Sequence, residues 1–319
     1  MGKQVKTVLI YGVSSFVGSN LAEFLKQDYK VFGTYNDTPI HIPGVLSYRC
    51  DVLSKEEVQL IAYATKPDFV IYTCGLSSIL DCSKSDELAD ALNTAGLFNV
   101  SDAAQRYQAR LLYISSSFVF NGTDKAFGEM DIPDANTMYG KTKASAEFFI
   151  QKTSLNYLII RTCQLYGRSI NPRSNTFFEI MEKKMVESKT FIVDSNVKVG
   201  FLDIMYLAMV IRFCFEKDVS NRLFQLSSKD CLTYYDFTQA YSKVFGQPSG
   251  IASKGAWELP LIDESITNNL IYNLDISNIE NFLNHELPTI EESLQYTFQR
   301  LNGEEKNSRS SKSAGITFI

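Results

Sequence analysis

The chain has 319 residues, 45% of them hydrophobic and 21% charged, a globular composition long enough to bury a core without covalent staples. Its net charge of -5 offers no basic stripe to neutralise phosphates, so nucleic acid is not an expected partner. Cys50, Cys74, Cys82, Cys163, Cys214 and Cys231 are scattered without a Cys-x-x-Cys pair, which argues against a disulfide framework or a zinc site.

Other exclusions narrow the chemistry. His41 and His285 are the only histidines, so acid–base work at neutral pH falls to other groups, and no metal site is expected. The amino-terminal residues run straight into a strand pattern with no long apolar segment. Neither a signal peptide nor a membrane span is expected, and the compartment is read as the cytosol. There the Asn121-Gly122-Thr123 sequon has no consequence.

From residue 6 to about 160, short apolar runs alternate with helix-length amphipathic segments. Strands are expected at 8–11, 30–35, 46–48, 69–73, 111–115 and 157–160, and helices at 17–26, 55–65, 86–107 and 138–153. Regular β-α-β alternation with Val/Ile/Leu-rich strands implies a parallel sheet covered on both faces, hence a doubly wound Rossmann fold. After residue 167 the pattern loosens. Helices are expected at 175–188, 204–216 and 234–245, with short strands at 191–193 and 223–226. Three regions follow: a dinucleotide-binding domain mainly over 1–166, a smaller mixed α/β substrate-binding region mainly over 167–301 with some segments expected to return to the Rossmann sheet, and a disordered polar tail over 302–319 whose last four residues stay unexplained.

Gly12-Val13-Ser14-Ser15-Phe16-Val17-Gly18 joins the first strand to the first helix. A dinucleotide needs a tight turn there, close backbone approach and a helix N-terminus aimed at the pyrophosphate. Gly12 and Gly18 fit the outer positions of GxxGxxG, and Ser15 replaces the middle glycine. After the second strand, Thr34-Tyr35-Asn36 lacks the carboxylate that holds a ribose diol, which favours NADP over NAD and makes Asn36 a candidate contact. Gly140-Lys141-Thr142 imitates the end of a P-loop, but Ala135 stands where the leading glycine belongs.

Tyr139 and Lys143 are four residues apart, on one face of the expected helix. An ammonium beside a phenol favours the phenolate and is expected to lower the tyrosine pKa. The preceding strand ends in Ser115-Ser116-Ser117, at the edge where a doubly wound sheet opens onto its cofactor crevice.

These residues together resemble an extended short-chain dehydrogenase/reductase, in pattern most like the dTDP-4-dehydrorhamnose reductase group of sugar-nucleotide reductases. The resemblance runs to about Leu301. It implies adenine contacts at Asp51 and Val52, small residues against the cofactor at Thr73 and Gly75, and a buried asparagine at Asn93. Ser115-Ser116-Ser117-Phe118-Val119-Phe120-Asn121-Gly122 is similar to the reductases' Ser-Thr-Asp-Tyr-Val-Phe-Asp-Gly. Ser116 then stands for the catalytic threonine, and Ser117, a substrate-contact candidate, replaces an aspartate. Asn175 and Lys198 are further substrate candidates.

The implied activity is NAD(P)H-dependent reduction of a keto sugar on a nucleotide, with Tyr139 as proton donor, Lys143 assisting and NADP or NAD as cofactor. Dehydratases of this class carry a Thr-Asp-Glu arrangement that is missing here. Two alternatives stay open: a nucleotide-sugar epimerase of the same family, and a non-catalytic regulatory subunit, as in methionine adenosyltransferase. A homodimer is implied by analogy alone.

Overall fold

The computed structural model describes residues 5–123, 125–154, 156–173, 175–255 and 270–303. The tail expected over 302–319 lies, beyond Gly303, outside the described residues.

Seven parallel strands form the central sheet: β1 (Thr7–Tyr11), β2 (Lys30–Tyr35), β3 (Leu46–Arg49), β4 (Phe69–Tyr72), β5 (Arg110–Ser116), β6 (Tyr157–Thr162) and β7 (Arg222–Leu226). Their order is β7-β6-β5-β4-β1-β2-β3, so chain direction across the sheet reverses between β1 and β4, the crevice where doubly wound folds take ligands. The crossovers carry α1 (Phe16–Leu25), α2 (Lys55–Thr65), α3 (Ile79–Lys84), α4 (Asp86–Asp90), α5 (Gly96–Arg106) and α6 (Met138–Thr153). Later come α7 (Phe177–Val186), α8 (Ile204–Glu216), α9 (Tyr234–Phe245), α10 (Ser277–Leu283) and α11 (Ile290–Leu301).

Strand β1 shows why both faces are covered. A strand sends alternate side chains to opposite faces. Val8 and Ile10 join an apolar cluster with Leu21 and Leu25 of α1 and Leu207 and Ile211 of α8. Leu9 and Tyr11 join a second cluster with Val58 of α2 and Leu97 and Val100 of α5. A third cluster, around Phe178, Phe201, Tyr234 and Phe237, builds the region after residue 167. There the strand Phe201–Asp203 pairs in parallel with Gln164–Tyr166, which continues the chain just past β6.

The segment expected as one helix over 86–107 is interrupted. Between α4 and α5 lies a π-helical turn, Ala91–Ala95. The Tyr72 hydroxyl donates to the Leu92 carbonyl within this turn, an insertion of the kind that accompanies such bulges. Gly96 permits this approach, since a Cβ there would lie 2.7 Å from the same hydroxyl. The bulge leaves Asn93 buried, its amide donating to Thr142 Oγ1 of α6 at 3.0 Å. Helix α7 starts later than expected because Thr176 and Glu179 form a capping box.

Candidate active site

A cleft of about 260 Å³ opens at the carboxyl ends of β1, β4 and β5. Eight of the residues singled out from sequence line it: Ser15, Phe16, Val17, Thr73, Gly75, Ser116, Tyr139 and Lys143.

The wall on the α1 side is the turn after β1. Gly12 has φ +91, and a Cβ there would stand 2.9 Å from Cys74, so both backbone shape and space demand glycine. Gly18 is held as tightly: its Cβ would lie 2.3 Å from the Gly12 carbonyl. Ser15 needs no glycine conformation. It has ordinary extended backbone and is the N-cap of α1, its hydroxyl oxygen accepting the Gly18 amide at 2.9 Å. Asn171, buried, donates to the Ser14 carbonyl at 2.8 Å and fastens this turn from the region after residue 167. Thr73 Oγ1 donates to the carbonyls of Tyr11 and Gly12 at 2.9 and 3.0 Å, joining β4 to the turn.

The opposite wall is made by β5 and α6. Gly140, packed beneath Tyr139, brings the helix close: a Cβ there would lie 2.0 Å from the Phe118 carbonyl. Tyr139 and Ser116 face the same cleft, and Ser116 Oγ accepts the Phe118 amide at 3.2 Å. Burial pushes the Tyr139 phenol up to about 12, while Ser116 pulls the other way. The expectation that Lys143 lowers this phenol is therefore reversed. The physical reason is that desolvation dominates and the ammonium is engaged elsewhere, donating to the Ile114 carbonyl at 3.0 Å with its Nζ 5.7 Å from the Tyr139 ring centroid. Burial pushes Lys143 itself down to about 8. One turn further along α6, Glu147 forms a buried ion pair with Arg161 of β6, with contacts of 2.8, 3.0 and 3.2 Å, and so anchors the helix to the sheet.

The remaining candidates lie outside the cleft lining. Asn36 is exposed past the end of β2, its amide donating to the Asp37 carboxylate at 2.8 Å. A carboxylate thus stands one residue beyond the segment read from sequence. Arg49 ends β3 opposite Tyr35. Asp51 caps its own turn by accepting the Leu53 amide, and Val52 is buried beside Gly96. Ser117 is buried in the short turn after β5, its hydroxyl without a hydrogen-bond partner among the described residues. Asn175 is exposed just before α7, and Lys198 is exposed on a two-residue strand. Sequence reasoning missed Gln164 and Tyr234, which both line the cleft, with the Tyr234 hydroxyl donating to Gln164 Oε1 at 2.9 Å. Gln164 follows a strand end and was open to inference. Tyr234 comes from α9, and no local signal marks it.

The lining suits a dinucleotide. The first-turn amides of α1, at Phe16 and Val17, have no helical carbonyl to meet and front the cleft. Gly75, at φ +127, leaves a bare backbone beside them. Ser115 adds a buried hydroxyl with no hydrogen-bond partner among the described residues. Cys74 and Cys163 also line the cleft, and burial pushes their thiols up to about 12 and about 11, so they are neutral walls. No group of three or more metal-binding side chains and no helix long and apolar enough to cross a membrane occurs among the described residues.

The sheet order, the crevice and the Ser-Tyr-Lys arrangement define an extended short-chain dehydrogenase/reductase. A family model described as the RmlD substrate binding domain matches residues 6–301, and the chain belongs to that family. Among curated relatives, methionine adenosyltransferase 2 subunit beta of Rattus norvegicus is 27% identical over 204 residues, 62% of this chain. The chain spans 61% of that relative's length. The dTDP-4-dehydrorhamnose reductase of Aggregatibacter actinomycetemcomitans is 22% identical over 262 residues, covering 82% of this chain and 84% of the relative. Among solved structures, the Bacillus anthracis dTDP-4-dehydrorhamnose reductase in complex with NADP shares the fold. Its TM-score is 0.78 at 20% identity, covering 94% of this chain and all of the other.

Proposed function

We propose that the chain reduces a keto sugar carried on a nucleotide, with a nicotinamide dinucleotide as reductant and Tyr139 as proton donor. The observation that carries this reading is the meeting of Ser116, Tyr139 and Lys143 in one cleft at the carboxyl ends of the parallel strands. A phenol held protonated is the form a reduction needs. A nucleotide-sugar epimerase of the same family would use the same three residues and stays the alternative. The dinucleotide, when bound, supplies the hydride. Tyr139 gives its proton to the carbonyl oxygen as the carbon gains the hydride, so the ketone becomes an alcohol, and solvent returns a proton to Tyr139. Ser116 stands beside the phenol in the cleft, and Lys143, held by the Ile114 carbonyl, places a positive charge in the same wall.

NADP(H) is the assigned cofactor, supported by the NADP complex of the solved relative. Asp37 supports NAD(H) as the alternative, because a carboxylate at this edge accepts from a ribose diol and repels a 2′-phosphate. The substrate side is assigned to the parts of 167–301 that lie outside the central sheet, supported by Tyr234 reaching the cleft.

The test is oxidation of NADPH or NADH by the purified protein with a dTDP-4-keto sugar. Turnover is expected with wild type, and Tyr139→Phe should lower it by about 100-fold or more while cofactor affinity stays within about twofold. Collapse of cofactor affinity in that variant would refute the donor role. The similarity to a methionine adenosyltransferase subunit favours a second reading, a subunit of another enzyme. Cofactor binding without turnover of any keto sugar, together with stable co-elution with a methionine adenosyltransferase, would select it.

A further inference from the structure

We propose that Tyr113 is a positioning residue for Lys143, holding the lysine ammonium over the face of its ring at the wall of the cleft. The functional meaning of this pairing rests on the reductase reading above; the pairing itself does not.

Lys143 Nζ lies 5.0 Å from the Tyr113 ring centroid, nearer than the 5.7 Å to Tyr139, and its Ile114 hydrogen bond draws it along β5 towards Tyr113. The titratable groups that act on it are Cys82 from α3, Tyr113 from β5, and Tyr139 and Glu147 from α6 itself. None supplies a free counter-charge. Glu147 is saturated by Arg161 through three contacts, and the Cys82 thiol is raised to about 11 and stays protonated. Tyr139 is likewise neutral. A half-buried ammonium without a free carboxylate must draw its stabilisation from dipoles, and two are at hand: the Ile114 carbonyl and the negative face of an aromatic ring. The ring is the part of Tyr113 that the site uses. Tyr113 is fully buried, and its hydroxyl has no hydrogen-bond partner among the described residues.

The consequence is a lysine that remains charged near neutrality although burial alone drives it towards the neutral amine. Loss of the ring face should carry it further down, by about one pH unit for a cation–π contact removed from water.

The experiment is pulse acylation of the full chain, free of cofactor, with an amine-specific reagent from about pH 6 to about pH 10. Labelling of Lys143 is read by mass spectrometry against exposed Lys152 on the same helix. Three proteins are compared: wild type, Tyr113→Phe, and the chain with pentafluorophenylalanine at position 113, which keeps the ring's shape and inverts its quadrupole. Tyr113→Leu serves as a fourth where it folds. Tyr113→Phe should keep the wild-type midpoint. The fluorinated ring should lower it by about one unit and raise labelling at pH 7 roughly fivefold. An unchanged midpoint with the fluorinated ring overturns the proposal, and so does an equal shift in Tyr113→Phe, which would assign the effect to the hydroxyl. The reductase reading fails separately: the midpoint then moves as expected while no keto sugar is reduced.

Discussion

Gly140→Ala tests whether the approach of α6 to β5 sets the chemistry. At an exposed helix position this change stabilises by about 1 kcal/mol, because alanine is the better helix former. Here the added Cβ would lie 2.0 Å from the Phe118 carbonyl and 2.7 Å from Ala135 Cβ. Ordinary contact begins at 3.4 Å, and the nearest obstacle is backbone that cannot rotate away. The helix must therefore move off the turn after β5, carrying Tyr139 from Ser116. Overpacking of this kind costs about 1–3 kcal/mol, which offsets the propensity gain and leaves a net loss of about 1 kcal/mol. The larger effect falls on turnover, since displacing a reacting group by about 1 Å can lower the rate about 100-fold. The assay pairs thermal unfolding with steady-state reduction of a dTDP-4-keto sugar and fluorescence titration of NADPH. A modest loss of melting temperature, a large loss of kcat and nearly intact cofactor binding are expected. Wild-type kcat in a folded Gly140→Ala protein would refute the reasoning.

Other expectations are as direct. Glu147→Ala leaves the buried Arg161 charge uncompensated and should destabilise the fold by about 3–5 kcal/mol in denaturant titrations, far more than removal of the exposed Lys55–Asp102 pair. Lys143 is depressed from its ordinary 10.5 to about 8, so the unfolded chain binds more protons between those values, and this residue's contribution to stability rises with pH across that window. Wild type should accordingly gain on Lys143→Met between about pH 8 and pH 10.5, and a flat difference would show that the lysine is not buried as described. Asp37→Ala should shift the ratio of NADPH to NADH affinity towards NADPH by about tenfold, measured by fluorescence titration, and an unchanged ratio would remove Asp37 from ribose recognition.

The Rossmann core was legible because its signals are local and periodic. Alternating apolar strand residues, Gly12 at the first turn and the Tyr139–Lys143 spacing each follow from a few consecutive residues, and eight of the resulting candidates meet in one cleft. What escaped depends on tertiary contact. The bulge at Ala91–Ala95 goes with a contact from the Tyr72 hydroxyl of a distant strand. The state of Tyr139 is governed by burial, which spacing along a helix does not report. Tyr234 reaches the cleft only because α9 packs through Phe201 and Phe177. Asp37 was missed for a simpler reason: the reading of the β2 end stopped at Asn36, one residue early.

The serine that replaces the middle glycine of the first turn has a bearing on the turn when nothing is bound to it. By answering the Gly18 amide with its own hydroxyl, it leaves the start of the helix already partly satisfied when no anion is near. The neighbouring Phe16 and Val17 amides are the ones left facing the cleft for an anion, while the cap itself is closed from within. The shape of this turn is therefore written into the chain itself and does not wait on a bound anion to form.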